Sequence, residues 1–311
     1  PLPRLSALLG GPRLLIKRDD LTGLALGGNK ARKLEFLLAE AQAQGARTLI
    51  TAGAVQSNHC RQTAAAAARF GFECLLVLSG NQPATASGNL LLDGLLGASL
   101  VWTTRAERDR TLQQTFETAW EAGKRPYLIP YGGSNPTGAA AYAFALQELL
   151  EQGVSPDWIV FASSSGGTQA GLIVGARRVA FVGKILGISV DEPSQVLQAR
   201  VARLATQTAE LLGMTPISEN EVFRTDEILV DDHYLGEGYG VMGDPEQEAI
   251  RLFARTEGLL LDPVYTGRAA AGLISLIRKG NFPASHTVLF WHTGGTPALF
   301  ADQYAQHLNW R

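Results

Sequence analysis

Residues 158–168 of the chain read WIVFASSSGGT, an apolar run that passes directly into serines, glycines and a threonine. A short run of consecutive apolar residues is typical of a strand buried on both faces of a parallel sheet. The small residues after it predict a turn into a helix, where successive backbone N–H groups can converge on an anion. Because the turn has neither the P-loop lysine nor the dinucleotide glycine spacing, the anion that it suits is a monophosphate. An ordinary turn with Ser and Thr caps is the equal alternative.

The same alternation of apolar runs and helical patterns extends along the whole chain. It predicts an α/β fold of parallel sheets, with ligands in crevices at the carboxyl ends of the strands. One helix is expected to start at Asn135 and Pro136, and another at Asp244 and Pro245 with Gln247 completing its cap. The expected strands are Leu14–Lys17, Thr48–Thr51, Cys74–Leu78, Ser99–Thr103, Tyr127–Pro130, Trp158–Ala162, Ile185–Val190, Ile228–Val230 and Val288–Trp291.

The composition excludes several classes of protein. The 311 residues include 27 basic and 29 acidic side chains without a long run of either sign, so we expect no nucleic-acid partner. No apolar stretch approaches the roughly 20 residues that cross a bilayer, and residues 1–11 lack a secretory pattern, which predicts a cytoplasmic protein with no membrane partner. Cys60 and Cys74 make neither a disulfide framework nor a metal site, and we expect buried free thiols.

Lys30 stands one residue inside a predicted helix start, in the turn Gly27-Gly28-Asn29-Lys30. The helix dipole disfavours a cation there, and a residue that breaks a local rule is a candidate for function. Beside backbone N–H groups and partly desolvated, its amine would favour the neutral form that Schiff-base chemistry needs. The alternative is a solvated surface lysine beside Arg32 and Lys33.

Other polar groups have structural explanations. Ser57 and Asn58 lie where a strand joins an alanine-rich helix, and helix capping accounts for one of them. Asp19 and Asp20 are expected to pair with nearby Arg or Lys. The run Asp231-Asp232-His233 lacks a further ligand at a defined spacing, so we expect a solvated loop and no metal.

Six motifs together give the chain a family resemblance that spans nearly its whole length. In this order they resemble the D-cysteine desulfhydrase and 1-aminocyclopropane-1-carboxylate (ACC) deaminase family, which are pyridoxal-phosphate enzymes of the tryptophan-synthase-β type. The motifs are Ile16–Asp20, Gly27–Glu35, Gln56–His59, Gly238–Gly240, Leu261–Gly267 and His292–Gly295.

The resemblance implies the architecture called fold type II. Two three-layer αβα domains with mostly parallel twisted sheets are expected, with pyridoxal 5'-phosphate in the cleft between them. A large domain is expected over residues 1–32 and 138–311, and a small inserted domain over residues 33–137. A homodimer that acts on a small amino acid is also implied.

The resemblance also implies roles for single residues. Lys30 becomes the lysine that carries the cofactor as a Schiff base and later moves the α-proton. Asn58 becomes a partner of the cofactor's 3-hydroxyl, and Ser57 with the groups after it, His59 included, holds the substrate carboxylate. The cradle of the cofactor phosphate comprises Ser165, Gly166, Gly167 and Thr168. The two phenols that face the substrate belong to Tyr239 and Tyr265.

Two threonines discriminate within this family. ACC deaminases place Glu directly after the second tyrosine and Leu before the last Gly-Gly pair, where this chain has Thr266 and Thr293. The resemblance implies that both threonines bind the cofactor. A hydroxyl such as that of Thr293 leaves the pyridine nitrogen less protonated than a carboxylate would, and the electron sink is then shallower. Such a sink still permits loss of an α-proton and of a good β-leaving group. A plain helix cap is the alternative for Thr266.

The resemblance therefore favours a β-elimination lyase that converts D-cysteine and water to pyruvate, hydrogen sulfide and ammonia. L-Cysteate sulfo-lyase is the nearest alternative, followed by ACC deaminase. A β-replacement synthase is more distant. A non-catalytic sensor of a phosphate ligand on the same fold belongs to a different class.

Overall fold

A computed structural model of the chain describes residues 1–214 and 223–308. In these two ranges nine strands form two sheets, and every strand pair is parallel. The strands are β1 (Arg13–Arg18), β2 (Thr48–Ala54), β3 (Glu73–Ser79), β4 (Ser99–Thr103), β5 (Pro126–Leu128), β6 (Trp158–Ser163), β7 (Lys184–Ser189), β8 (Leu229–Asp231) and β9 (Thr287–His292).

Each predicted strand lies at its predicted place. The first sheet has the order β1-β9-β6-β7-β8 and the second has the order β4-β3-β2-β5. The largest difference between a predicted and an observed strand end is at β2, which was predicted to end at Thr51 and ends at Ala54. Short apolar runs locate these strands well because β2, β6 and β9 are buried along almost their whole length.

Helices connect the strands. Within the described ranges they are α1 (Pro3–Leu9), α2 (Asn29–Ala43), α3 (Asn58–Phe70), α4 (Gly88–Leu95), α5 (Arg108–Glu121), α6 (Pro136–Glu151), α7 (Gly167–Arg178), α8 (Ser194–Leu211), α9 (Asp244–Glu257), α10 (Thr266–Arg278) and α11 (Asp302–Ala305). None of them is both long and apolar enough to cross a membrane.

Of the two predicted helix starts, that of α6 is confirmed and that of α9 differs from the structure. The Asn135 side chain caps α6 by accepting a hydrogen bond from the Gly138 N–H at 2.8 Å, as predicted. The predicted cap of α9 was wrong by one residue. Gly243 is the N-cap, and the Glu246 carboxylate accepts from the Gly243 N–H at 3.0 Å. In a capping box the acidic residue stands three positions after the N-cap, so an N-cap at Gly243 places it at Glu246 and not at Gln247.

Alternating side chains of β6 build a core on each face of the first sheet. Val160 packs in a cluster with residues of α9 and α10, whereas Ile159 and Phe161 pack in another with residues of α6 and α7. The second sheet buries Leu49 and Leu76 in its own cluster. The layers are therefore helix, sheet and helix. Cys60 and Cys74 are free and buried, which confirms the expectation for the cysteines.

Helix α2 connects the two domains. Its Leu34 and Leu37 belong to the core of the second sheet, while Phe36 stacks on Phe144 of α6 with 5.8 Å between ring centroids. The predicted domain boundaries at 32/33 and 137/138 fall inside α2 and α6, and the predicted end at residue 311 lies outside the described residues. These boundaries stay a prediction.

Candidate active site

A cavity lies at the carboxyl ends of β2, β6 and β9, where α3 and α7 begin. It collects segments far apart in the sequence, as expected for a ligand crevice of a parallel sheet. Nine predicted site residues line it, and they are Lys30, Ser57, Asn58, His59, Ser165, Gly166, Thr168, Tyr265 and Thr293. Its other lining residues are Asn29, Tyr131, Gly132, Ala162, Ser163, Ser164 and Gly294.

Lys30 projects into this cavity from the first turn of α2. Its amine donates to the Asn29 side-chain oxygen at 3.0 Å, and the Asn29 amide donates to the Thr168 hydroxyl at 3.1 Å. The Asn29 backbone N–H donates to the Thr293 carbonyl at 2.9 Å, so α2 starts against the loop after β9. Burial lowers the pKa of Lys30 to about 8, with Arg61 acting in the same direction and Asp262 opposing it. This environment excludes the solvated surface lysine.

The turn after β6 is shaped to receive an anion. Gly166 takes a positive φ of 86°, and α7 begins at the next residue. The Ser165 hydroxyl lies 2.7 Å from the Ser134 hydroxyl, which also accepts from the Gly167 N–H at 3.2 Å. Gly167 supports the turn without lining the cavity. Hydroxyls and a helix N-terminus at one point favour a phosphate group.

Lys33 is a buried amine behind this turn, and sequence reasoning missed it. Only 1% of its surface is exposed, and it donates to the Gly132 carbonyl at 3.1 Å and to the Ser134 hydroxyl at 3.2 Å. Burial lowers its pKa well below the usual value, and Lys30 adds to the effect. Its signal was the three-residue spacing from Lys30, which places both on one face of α2.

Ser57, Asn58 and His59 begin α3 as predicted. The Ser57 hydroxyl caps the helix by accepting from the Cys60 N–H at 3.2 Å. The Asn58 side-chain oxygen accepts from the Asn89 amide at 2.8 Å, which leaves the Asn58 amide N–H groups for a ligand. Ser57 therefore has a structural role, and Asn58 is held in the orientation of a donor.

His59 is neutral and partly unsatisfied. Its Nε2 lies 3.0 Å from the Thr51 hydroxyl, which itself donates to the Ile129 carbonyl at 2.8 Å. Nε2 must therefore carry the proton, and in the described ranges Nδ1 has no hydrogen-bond partner. Burial, then Lys30 and Lys33, lowers the pKa of His59 well below its usual value.

Two tyrosines form a pair of phenols, and one of them reaches the cavity. The hydroxyls of Tyr239 and Tyr265 lie 2.5 Å apart, and the rings meet edge to face. Burial raises the pKa of both well above the usual value, so both phenols are neutral donors. Tyr239 lies behind Tyr265 and lines an outer space instead.

Thr266 is not brought to the cavity. Its hydroxyl donates to the Asp262 carboxylate at 2.7 Å and accepts from the Asp262 N–H at 2.7 Å. Asp262 is fully buried and also accepts from the N–H groups of Val264 and Tyr265. Thr266 is the first residue of α10, and both its N–H and its hydroxyl donate to the Asp262 carboxylate. Tyr265 is the N-cap, so the helix-cap alternative for Thr266 was wrong. Thr293 does line the cavity, and its hydroxyl has no hydrogen-bond partner among the described residues.

The two acids after β1 form ion pairs with arginines, as expected. Asp20 pairs with Arg18 at 2.6 Å, and Asp19 pairs with Arg32 at 2.8 Å. The cluster Asp231-Asp232-His233 brings three ligand atoms together, but hydrogen bonds already occupy it, among them Asp231 to His233 at 2.7 Å. It carries no further sign of a metal site.

A second space, here called the vestibule, opens beside the cavity and shares Tyr131 and Ser165 with it. Four arginines and two acids line it, and they are Arg105, Arg108, Arg200, Arg203, Asp191 and Glu192. Arg200 pairs with Glu192 at 2.9 Å. Among the described residues, Arg105 and Arg203 have no acid within ion-pair distance.

Comparisons with known proteins agree with this geometry. The family described as pyridoxal-phosphate dependent enzymes matches residues 1–294. A solved structure described as an ACC deaminase homologue is 38% identical, with a TM-score of 0.89, over 99% of this chain and 91% of that one.

Two other solved structures share the fold at lower identity. Threonine deaminase isoform 2 from Solanum lycopersicum is 18% identical, with a TM-score of 0.69, over 99% of this chain and 80% of that one. A hydrogen sulfide-producing enzyme from Fusobacterium nucleatum is 15% identical, with a TM-score of 0.63, over 92% of each chain. The two parallel α/β domains are those of fold type II, as predicted.

Proposed function

Because the chain belongs to the pyridoxal-phosphate-dependent enzymes, we propose that it is a β-elimination lyase converting D-cysteine and water to pyruvate, hydrogen sulfide and ammonia. Its cofactor is pyridoxal 5'-phosphate. One observation carries the proposal: the Lys30 amine, with its pKa lowered to about 8, opens into the same cavity as the anion-binding turn of residues 163–168. These two features suit the aldehyde and the phosphate of the cofactor.

The remaining donors also fit the cofactor. Asn58 keeps an amide N–H free for the ring hydroxyl, and Thr293 offers an unpartnered hydroxyl to the ring nitrogen. The phosphate turn has no room for extra atoms, since a Cβ at Gly132 would lie 2.9 Å from the Ser165 Cβ.

Each side chain then has a role in the reaction. The bound cofactor supplies an electron sink for the electron pair left when the α-proton departs. The neutral amine of Lys30 takes that proton, because a lysine near its pKa at working pH can act as a base. Ser57 and the N–H groups at the start of α3 hold the substrate carboxylate. Tyr265, positioned by Tyr239, donates a proton toward the leaving sulfur.

Thr293 is the reason for preferring β-elimination to cyclopropane ring opening. Opening a cyclopropane requires the deeper sink that a protonated ring nitrogen provides, whereas expelling sulfide requires less. A threonine hydroxyl does not hold a proton on that nitrogen as a carboxylate would. ACC deamination therefore ranks last among the three substrates.

The test is to supply purified protein with D-cysteine, L-cysteine, L-cysteate and ACC in turn. The readouts are pyruvate from the first three and 2-oxobutanoate, the four-carbon keto acid, from ACC. We expect pyruvate with sulfide from D-cysteine. We also expect a yellow wild-type protein whose visible absorption band is removed by borohydride. The control variant Lys124→Ala should show the same band, and Lys30→Ala should lack it. 2-Oxobutanoate from ACC, with no pyruvate from the other three amino acids, would refute the argument from Thr293. If an amino-acid product forms only after a second nucleophile is added, the protein is a β-replacement synthase. If it binds the phosphate ligand but turns over no amino acid, it is a sensor.

L-Cysteate sulfo-lyase is the second candidate, and the vestibule favours it. The four arginines of the vestibule outnumber its two acids, and this net positive charge beside the cavity attracts a sulfonate more than a neutral thiol. We expect Arg105→Gln and Arg203→Gln to lower kcat/KM for L-cysteate about fivefold at low salt and to leave D-cysteine unaffected. The exposed Arg255→Gln is the matched control. Equal effects on both substrates would remove the support for this candidate.

A further inference from the structure

Arg61 is a buried cation that the proposed chemistry does not use. It lies on α3 with no exposed surface, and its Nη2 donates to the Gly27 carbonyl at 2.9 Å. In residues 1–214 and 223–308 its Nε and Nη1 have no hydrogen-bond partner. A fully buried guanidinium with one satisfied nitrogen lowers the stability of the fold, so its burial calls for a reason.

Asp93 of α4 is the acid that faces this guanidinium. It also has no exposed surface, and neither of its carboxylate oxygens has a hydrogen-bond partner among the described residues. No ion pair within 4.0 Å joins it to Arg61, although each influences the other's charge. Burial raises the pKa of Asp93 to about 8 and lowers that of Arg61 to about 10. At neutral pH Asp93 therefore compensates little of the positive charge of Arg61, and Asp262 is the other acid that influences it.

The group that Arg61 holds is the turn in front of Lys30. Gln62, the next residue of α3, donates to the same Gly27 carbonyl. On the other side, the Gly28 N–H donates to the Asp19 carbonyl at 2.8 Å. Two neighbouring side chains, one charged and one neutral, thus fix the same atom three residues before the amine.

We infer that Arg61 is a positioning residue for Lys30, which fixes the Gly27 carbonyl and places a buried positive charge behind the amine that favours its neutral, nucleophilic form. The inference rests on the proposed function, because it assigns Arg61 to the lysine that carries the cofactor. Arg61 contributes both a hydrogen bond to the Gly27 carbonyl and a positive charge. Gln62 contributes only the hydrogen bond, so variants of the two residues distinguish these effects.

The charges around Lys30 are few enough for Arg61 to influence the protonation of its amine. Asp262, in the segment before α10, is the facing negative charge and favours the protonated amine. Arg61 on α3 opposes it, and the amine of Lys33 on α2 also lies close enough to interact with Lys30. His59 on α3 is neutral and contributes little. Without Arg61, Asp262 would be opposed by fewer positive charges.

The experiment compares Arg61→Gln, Arg61→Lys and Gln62→Leu by the reactivity of the Lys30 amine. Trace acylation of cofactor-free protein with acetic anhydride, read by peptide mass spectrometry between pH 6 and 11, reports the neutral fraction of that amine. The pH titration of the visible band of the holoenzyme is the second readout. Circular dichroism confirms that each variant is folded.

We expect Arg61→Gln to reduce acylation of Lys30 about tenfold at pH 7, which corresponds to a pKa about one unit higher. Arg61→Lys, which keeps the charge, and Gln62→Leu, which loses only the hydrogen bond, should stay within about threefold of wild type. Equal shifts in Arg61→Gln and Gln62→Leu, or no shift in either, would overturn the inference. If Arg61→Gln does not fold, a tenfold loss in Gln62→Leu alone would also overturn it.

The amine measurement needs no substrate, so the two proposals fail separately. Absence of turnover with every amino acid would refute the proposed function and would leave the acylation result to decide the role of Arg61.

Discussion

Lys30 and Lys33 lie one turn apart on α2, yet they have different surroundings. Lys30 opens into the cavity, whereas Lys33 is closed in by the Gly132 carbonyl and the Ser134 hydroxyl. The helix dipole made Lys30 visible in the sequence, because a cation at a helix start is anomalous. Lys33 gave no such signal, since its burial depends on a loop a hundred residues away in the chain.

Lys33 is expected to stabilise the phosphate of the cofactor through Ser134. Lys33→Met should weaken binding of pyridoxal 5'-phosphate about tenfold, because the Ser134 hydroxyl loses the hydrogen bond that orients it toward Ser165, and should leave binding of unphosphorylated pyridoxal unchanged. Fluorescence titration of cofactor-free protein measures both affinities, with Lys124→Met as the exposed control. An equal loss for both ligands would contradict a role at the phosphate.

The two phenols should separate into a reacting and a supporting group. Tyr265→Phe is expected to lower kcat about a hundredfold, the lower end of the effect of removing a proton donor, with little change in KM. Tyr239→Phe should cost less, because Tyr265 keeps its hydroxyl in the cavity and loses only a partner. Steady-state kinetics of both variants tests this order, and the reverse order would contradict it.

At the scale of elements, the first turn of α3 serves both the fold and the site. Ser57→Ala should lower the free energy of unfolding by about 1 kcal/mol, because the Cys60 N–H loses its cap. Ser57→Asp keeps a cap and should unfold like wild type, but its negative charge should raise KM by repelling the substrate carboxylate. Denaturant unfolding with steady-state kinetics distinguishes the two roles. Normal KM in Ser57→Asp would argue against a carboxylate subsite.

Gly132 offers a test of the phosphate turn with a matched partner elsewhere. Gly132 and Gly123 have φ values of 66° and 69°, so an alanine costs each about 1 kcal/mol of strain. Only at Gly132 would the new Cβ meet Ser165, while nothing lies within 4 Å at Gly123. Gly132→Ala should therefore reduce cofactor affinity about tenfold and Gly123→Ala should not. Equilibrium dialysis provides the measurement, and equal affinities would show that the turn tolerates the extra atom.

The strands were predictable from sequence because parallel strands such as β6 are apolar on both faces. Helix starts were predictable where a side chain does the capping, as at Asn135, and not where backbone geometry does, as at Gly243. The threonine at 266 shows the limit of motif reasoning. Its position in the sequence pointed to the cavity, but the Asp262 carboxylate holds its hydroxyl at the start of α10.

At the scale of the whole molecule, the site is assembled from both sheets, with α2 joining them. Segments after β2, β6 and β9 supply the groups that line the cavity. Sequence patterns located each segment but could not show which buried polar groups lie behind them. Arg61 and Asp93 look in sequence like ordinary charged residues of surface helices, and only packing of α3 against α4 reveals that both are buried.

Asp93 should make the stability of the whole protein depend on pH. Burial raises its pKa from 3.8 to about 8, so between these values the folded state keeps a proton that the unfolded state has released. Its contribution to stability is complete below pH 3.8 and is lost as the pH rises through 8. The slope for one proton is about 1.4 kcal/mol per pH unit.

Asp93→Asn should therefore remove that slope from the free energy of unfolding of cofactor-free protein, measured with urea at several values between pH 4.5 and 7.5. Arg61 and the thiols of Cys60 and Cys74 are the other titratable groups near Asp93, and none of them changes charge in this window. The exposed Asp109→Asn should keep the slope of wild type. If Asp93→Asn also keeps it, Asp93 is ionised in the folded protein, and Arg61 is compensated at neutral pH.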